Sequence, residues 1–139
     1  MDPITSIVEN AKINDENARV VAAHVVGYFT AMHELEKTNI PLAKRRHTQQ
    51  EFDEAVARQV AVFREYWDAG DDYWAPVDIG SEARFNPDGI KDLAVVTDGN
   101  GSFIVTLTYE IEDAVMANRR VTCLVSSRDG APKIVNEFY

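Results

Sequence analysis

A single cysteine, Cys123, stands in a chain of 139 residues. One cysteine excludes an internal disulfide and suits a reducing compartment. In its alternating context it reads as a small buried apolar residue. No run of about 18 apolar residues occurs, which excludes a helical membrane span. Met1-Asp2-Pro3-Ile4-Thr5 offers neither the basic nor the apolar region of a secretory leader, so a cytoplasmic protein is expected. Bases are scarce: 14 Lys and Arg stand against 23 Asp and Glu, a net charge of −9. The compact basic run Lys44-Arg45-Arg46-His47 precedes a helix start and reads as a solvated loop. Phosphate contacts need clustered Lys and Arg, so nucleic acid is not an expected partner. G-x-S-x-G, P-loop and G-x-G-x-x-G motifs are all missing, and no catalytic residue or cofactor is expected. The three histidines do not form a metal set. His24 and His33 are about 2.5 helical turns apart, on opposite faces, and His47 sits in the basic run. Asp68, Asp71 and Asp72 lack the order of a calcium loop, so no metal is expected there either.

What the chain does have is acid, and it is segregated. From Glu65 to Asp88 stand Glu65, Asp68, Asp71, Asp72, Asp78, Glu82 and Asp88 against the single base Arg84. Glu110, Glu112 and Asp113 follow with no base among them. These stretches carry −6 and −3, so they account for the whole net charge and the rest of the chain is balanced. Like charges gathered on one surface repel, and folding does not require it. Acids after a helix also face the negative end of its dipole and gain nothing as caps. A solvated acidic loop is one explanation, and acids at a strand end also discourage sheet-to-sheet pairing. A surface for a basic partner protein is the other. Tyr73 and Trp74 lie among these acids outside any periodic stripe, the composition of a protein-binding hot spot or of a flap over the core.

Periodicity divides the chain. Residues 1–13 read as a frayed turn or short helix with partial disorder. A first long helix is expected over Asp15–Lys37, where Val21, Val25, Tyr28, Met32 and Leu35 make one apolar stripe. Asn14 or Asp15 caps it, and Pro41 should stop it. Thr48-Gln49-Gln50-Glu51 is a capping box that opens a second helix to about Asp68. Its expected buried face is Phe52, Val56, Val60, Phe63 and Trp67, with Gly70 as a C-terminal stop. Residues 71–90 read as a long irregular connection with a short strand near Ala83–Phe85. The period then changes to two. Leu93–Thr97 is a strand, and Asp98-Gly99-Asn100-Gly101 is a hairpin turn. The following strand points Phe103, Val105, Leu107, Tyr109 and Ile111 inward, and a third over Arg119–Ser127 points Val121, Cys123 and Val125 inward. The last runs over Lys133–Tyr139. Helices followed by an antiparallel meander predict a single α+β domain over residues 1–139, with an N-terminal helical hairpin packed on a curved sheet.

Three segments resemble one family. They are Phe29-Thr30-Ala31-Met32-His33-Glu34-Leu35-Glu36, Gly80-Ser81-Glu82-Ala83-Arg84-Phe85-Asn86-Pro87 and Lys133-Ile134-Val135. With the element order, they resemble the NTF2-fold immunity proteins of bacterial polymorphic toxin systems. The resemblance implies an NTF2-like cone and a protein that binds and neutralises a cognate toxin. Many family members place a Trp near the position of Lys133, and this chain does not.

The expected partner-binding residues are Asp71, Asp72, Tyr73, Trp74, Asp78, Glu82, Asp88, Glu110, Glu112 and Asp113, docking on a basic toxin. Two alternatives stay open. The same cone hosts isomerases and dehydratases, which need a carboxylate aimed into a pocket. A ligand-binding or homodimeric module would use Ile104, Leu124 and Val135 on the exposed sheet face.

Overall fold

The computed structural model describes residues 2–68, 79, 85–97, 100–110, 118–128 and 131–138. They form an α+β arrangement in which three helices precede an open, four-stranded antiparallel sheet. The helices are α1 (Pro3–Asn10), α2 (Glu16–Ala43) and α3 (Gln49–Tyr66), followed by a short 3₁₀ turn at Pro87–Gly89. The strands are β1 (Lys91–Thr97), β2 (Ser102–Glu110), β3 (Asn118–Arg128) and β4 (Ala131–Phe138), paired in chain order.

Residues read as a frayed turn or short helix form α1. Asp2 caps it, accepting from the Thr5 amide at 2.9 Å, and Val8 is buried. Burial of its apolar side holds a helix too short to persist alone. Asp15 caps α2 by accepting from the Ala18 amide at 2.8 Å. Val21, Val25, Tyr28 and Met32 of the expected stripe are buried, and Leu35 packs against them. Ala18, Ala22, Val26 and Phe29 are buried as well, so α2 is covered on more than one side.

Two helical expectations are corrected. Pro41 does not stop α2, which continues to Ala43. Its ring falls in the final turn and is exposed, while Asn39 and Leu42 on either side are buried. Burial of these neighbours against α3 outweighs the local cost of a missing amide bond. In α3 the capping box forms as read, with Thr48 Oγ1 accepting from the Glu51 amide and Glu51 Oε1 from the Thr48 amide. Its buried residues, however, are Ala55, Gln59 and Phe63, while Phe52, Val56 and Val60 are only half-buried. Spacing by four through Ala55, Gln59 and Phe63 is a single ridge, and the small Ala55 lets it approach α2 closely. Gly27 serves the same approach, since a Cβ there would lie 3.3 Å from the Tyr66 ring. The helix ends at Tyr66; Trp67 is extended, and Gly70 lies outside the described residues.

The described part of the sheet follows its pattern; Asp98, Gly99, Ile111 and Tyr139 lie outside the described residues. Phe103, Val105, Leu107 and Tyr109 of β2 and Val121, Cys123 and Val125 of β3 are all buried under α2. Gly101 turns with φ +77° and its carbonyl accepts from the Ser127 amide at 2.7 Å. β4 begins before Lys133 and includes Pro132, which an edge strand tolerates. Trp67 pairs with Ile134, and the Asp68 amide donates to the Ile134 carbonyl at 2.9 Å, so the end of α3 covers part of the β4 edge.

Candidate functional site

Asp71, Asp72, Tyr73, Trp74, Asp78, Glu82, Glu112 and Asp113 lie outside the described residues. So does the strand expected near Ala83–Phe85, except for Phe85 itself, which is not in a strand. Asp88 and Glu110 are described, and the topology brings them together. Asn86 caps the 3₁₀ turn by accepting from the Asp88 amide at 3.0 Å, and Asp88 is exposed on it. That turn packs against α1, α2 and β2. Lys91 pairs opposite Thr108, and Glu110 pairs opposite Asn118. The start of β1, the end of β2 and the start of β3 therefore share one end of the sheet, and Asp88 and Glu110 lie towards it, whereas Glu65 and Asp68 lie by β4 towards the other. The same register brings bases: Lys91, Arg119 opposite Tyr109 and Arg120 opposite Thr108. This end is mixed in charge.

Beside it a groove of about 700 Å³ separates α1 from the segment entering β1. Ser6, Ile7 and Asn10 form one wall, and Asp88, Asp92 and Leu93 belong to the other. Asp92 has φ +53°, and pairing with β2 is irregular between Lys91 and Ala94. A left-handed conformation is uncommon for a side-chain-bearing residue, though Asp tolerates it better than most. The irregularity turns the edge strand at the groove and adds an acid to its wall. Sequence reasoning missed Asp92. Its one signal was a charge at the first positions of an otherwise apolar strand.

A second polar region lies at the C-terminus of α3. His24 Nε2 donates to the Tyr66 carbonyl at 2.9 Å, and Lys133 Nζ donates to the Glu65 carbonyl. Donors there satisfy carbonyls that the helix leaves open and complement its dipole. Burial of the His24 ring lowers its pKa, reinforced by Lys133 and opposed by the Tyr66 bond and by Glu65. His33 turns elsewhere, with Nδ1 3.3 Å from Glu36 Oε1. Among the described residues no group of three or more His, Cys, Asp and Glu could hold a metal.

Among the described residues the interior offers little to chemistry. Tyr28 is the hub of an aromatic cluster with Phe29, Phe63, Tyr66, Trp67 and Phe85. Trp67 is buried and stacked on Phe63 at 4.9 Å, so it belongs to the core rather than to a partner surface. Asn39 and Gln59 are the buried polar side chains among the described residues, and neither ionises. Burial pushes the Cys123 thiol far above its ordinary range, which leaves it inert. Glu36 is half-buried and its Oε1 accepts from the Phe85 amide at 3.1 Å, and Glu137, also half-buried, pairs opposite Cys123. No protein-family model, curated protein or solved structure matches this chain.

Proposed function

We propose that the chain is a binding protein of the NTF2-like immunity type, whose acidic end docks on a basic toxin and blocks it. The observation that carries the reading is that Asp88, before β1, and Glu110, closing β2, one residue from each acidic stretch, lie towards the same end of the sheet, while Glu65 and Asp68 lie by β4 towards the other. Acids that balance no base in their own stretches gain most from a cationic macromolecule, which they attract and orient. Helices that precede an antiparallel meander agree with the cone architecture this family resemblance implies. Lys91, Arg119 and Arg120 at the same end favour a partner surface of mixed charge with a cationic excess. The enzymatic alternative needs a buried carboxylate beside a tyrosine; Tyr28 and Tyr109 are buried, and no Asp or Glu among the described residues is.

The test is co-expression with the product of the adjacent reading frame. Charge reversal at Asp88 and Glu110, combined with Asp71, Asp72 and Glu82, is expected to abolish protection of the cell. It should also slow association at least ten-fold in about 50 mM salt, with the difference shrinking as salt rises. Full protection by the reversed variant rules the reading out.

A further inference from the structure

The groove between α1 and the segment entering β1 combines three features that a single amino acid or ion would not use together. Its volume, about 700 Å³, has room for a few residues of peptide. Ile7 and Ala11 on one wall and Ile90 on the other are half-buried, so they leave apolar surface within reach. Ser6 and Asn10 add a hydroxyl and an amide. Asp88 and Asp92 are both exposed where they line it. Lys91 lies between them, and register sets it opposite Thr108, which is itself opposite Arg120, so the Lys91 side chain follows the outer sheet face. The excess charge of the groove is negative.

The sheet continues the groove along an open edge. Ala94, Val95 and Val96 of β1 pair with β2 alone among the described residues. The opposite edge differs: the end of α3 covers part of β4, and Pro132 removes one of its donors. An open edge pairs with extended backbone, and alternate side chains of that backbone reach the pockets beside it. Resting on the reading of the chain as an inhibitor of a basic protein, we propose that this groove receives an extended segment of that partner. A Lys or Arg side chain of the segment meets Asp88 and Asp92, and an apolar neighbour packs on Ile7 and Ile90. A small organic cation would satisfy the acids but leave the β1 edge and the apolar lining unused.

Heteronuclear NMR titration of the isolated protein tests it, with the blocked peptide Val-Arg-Val-Arg-Val as probe and Val-Glu-Val-Glu-Val and arginine amide as controls. Shift changes are expected at Ser6, Asn10, Asp92 and Ala94–Val96 with the basic peptide, and at least ten-fold weaker binding of either control. Asp92→Asn removes one acid while keeping a residue that tolerates the φ of +53°. Asn10→Trp fills the groove without changing charge. Each is expected to weaken the peptide about ten-fold. If Asn10→Trp alters the far-UV circular dichroism, Asp92→Asn alone is read. Absence of binding up to about 5 mM peptide overturns the proposal. So does binding as tight with arginine amide, or shift changes that neither substitution diminishes. No toxin is present in this titration, so groove binding stands even where the protection assay fails. Conversely, full protection by Asn10→Trp, where charge reversal abolishes it, keeps the inhibitor and overturns the groove.

Discussion

The two flanks of α2 are held in different ways. Toward the sheet, Val25 and Phe29 meet a surface of Val105, Leu107, Tyr109 and Val121, all nearly or fully buried and apolar apart from the tyrosine hydroxyl. Toward α3, the contact includes a buried amide pair, Asn39 Nδ2 donating to Gln59 Oε1 at 3.2 Å, and His24 bonded to the Tyr66 carbonyl. Asn39 Oδ1 has no hydrogen-bond partner among the described residues. The apolar flank supplies free energy without direction, whereas the polar flank gives up some of it for hydrogen bonds that fix where α3 sits. An amide sequestered from water costs unless it is bonded, so a slipped α3 would leave Asn39 and Gln59 unmatched.

The apolar flank should respond most. Phe29→Ala empties a site flanked by Tyr28, Phe85 and Tyr109. It is expected to cost about 3–5 kcal/mol in urea unfolding. A loss below about 1.5 kcal/mol would mean that the surrounding rings collapse into the space.

The amide pair comes next. Gln59→Leu takes the acceptor from Asn39 and is expected to cost about 1–3 kcal/mol. Asn39→Leu with Gln59→Leu should then cost less than the two single changes together, because no lone buried amide is left. Additive costs would show that the pair is not coupled and that the seam is held by its apolar members.

The smallest effect is the titration of His24. Its folded pKa lies below the ordinary 6.5, chiefly through burial. The unfolded chain therefore takes up the proton first, and stability is lost as pH falls from 6.5 toward the folded value, with no loss above it. The wild type should weaken relative to His24→Gln when urea midpoints are compared at about pH 7.5 and 5.5. Equal pH slopes for the two proteins would remove His24 from the account.

The strands were legible because alternation is a direct record of which face is wet. Val121, Cys123 and Val125 could be assigned inward from their spacing, and they are fully buried. The Thr48–Glu51 box was legible for a similar reason, since both its bonds close within one helical turn. Pro41 misled because its rule is local, while the burial of Asn39 and Leu42 depends on a helix that starts later in the chain. Gln59 misled by type: a polar residue inside a seam has no apolar signal. Of the candidate site, composition showed that acid is segregated. It could not show that Asp88 and Glu110 share one end of the sheet with Lys91, Arg119 and Arg120, because that follows from strand register.

Local chemistry written in the residues themselves set the starts of α2 and α3, the strand faces and the net charge of −9. Each rests on groups a few positions apart, whose geometry the backbone fixes before any long-range contact forms. Tertiary structure decided how far α2 runs, which ridge of α3 is buried, that Trp67 pairs with Ile134, and which exposed side chains form one surface. Those outcomes depend on contacts between residues tens of positions apart, where burial of many side chains outweighs the preference of any one.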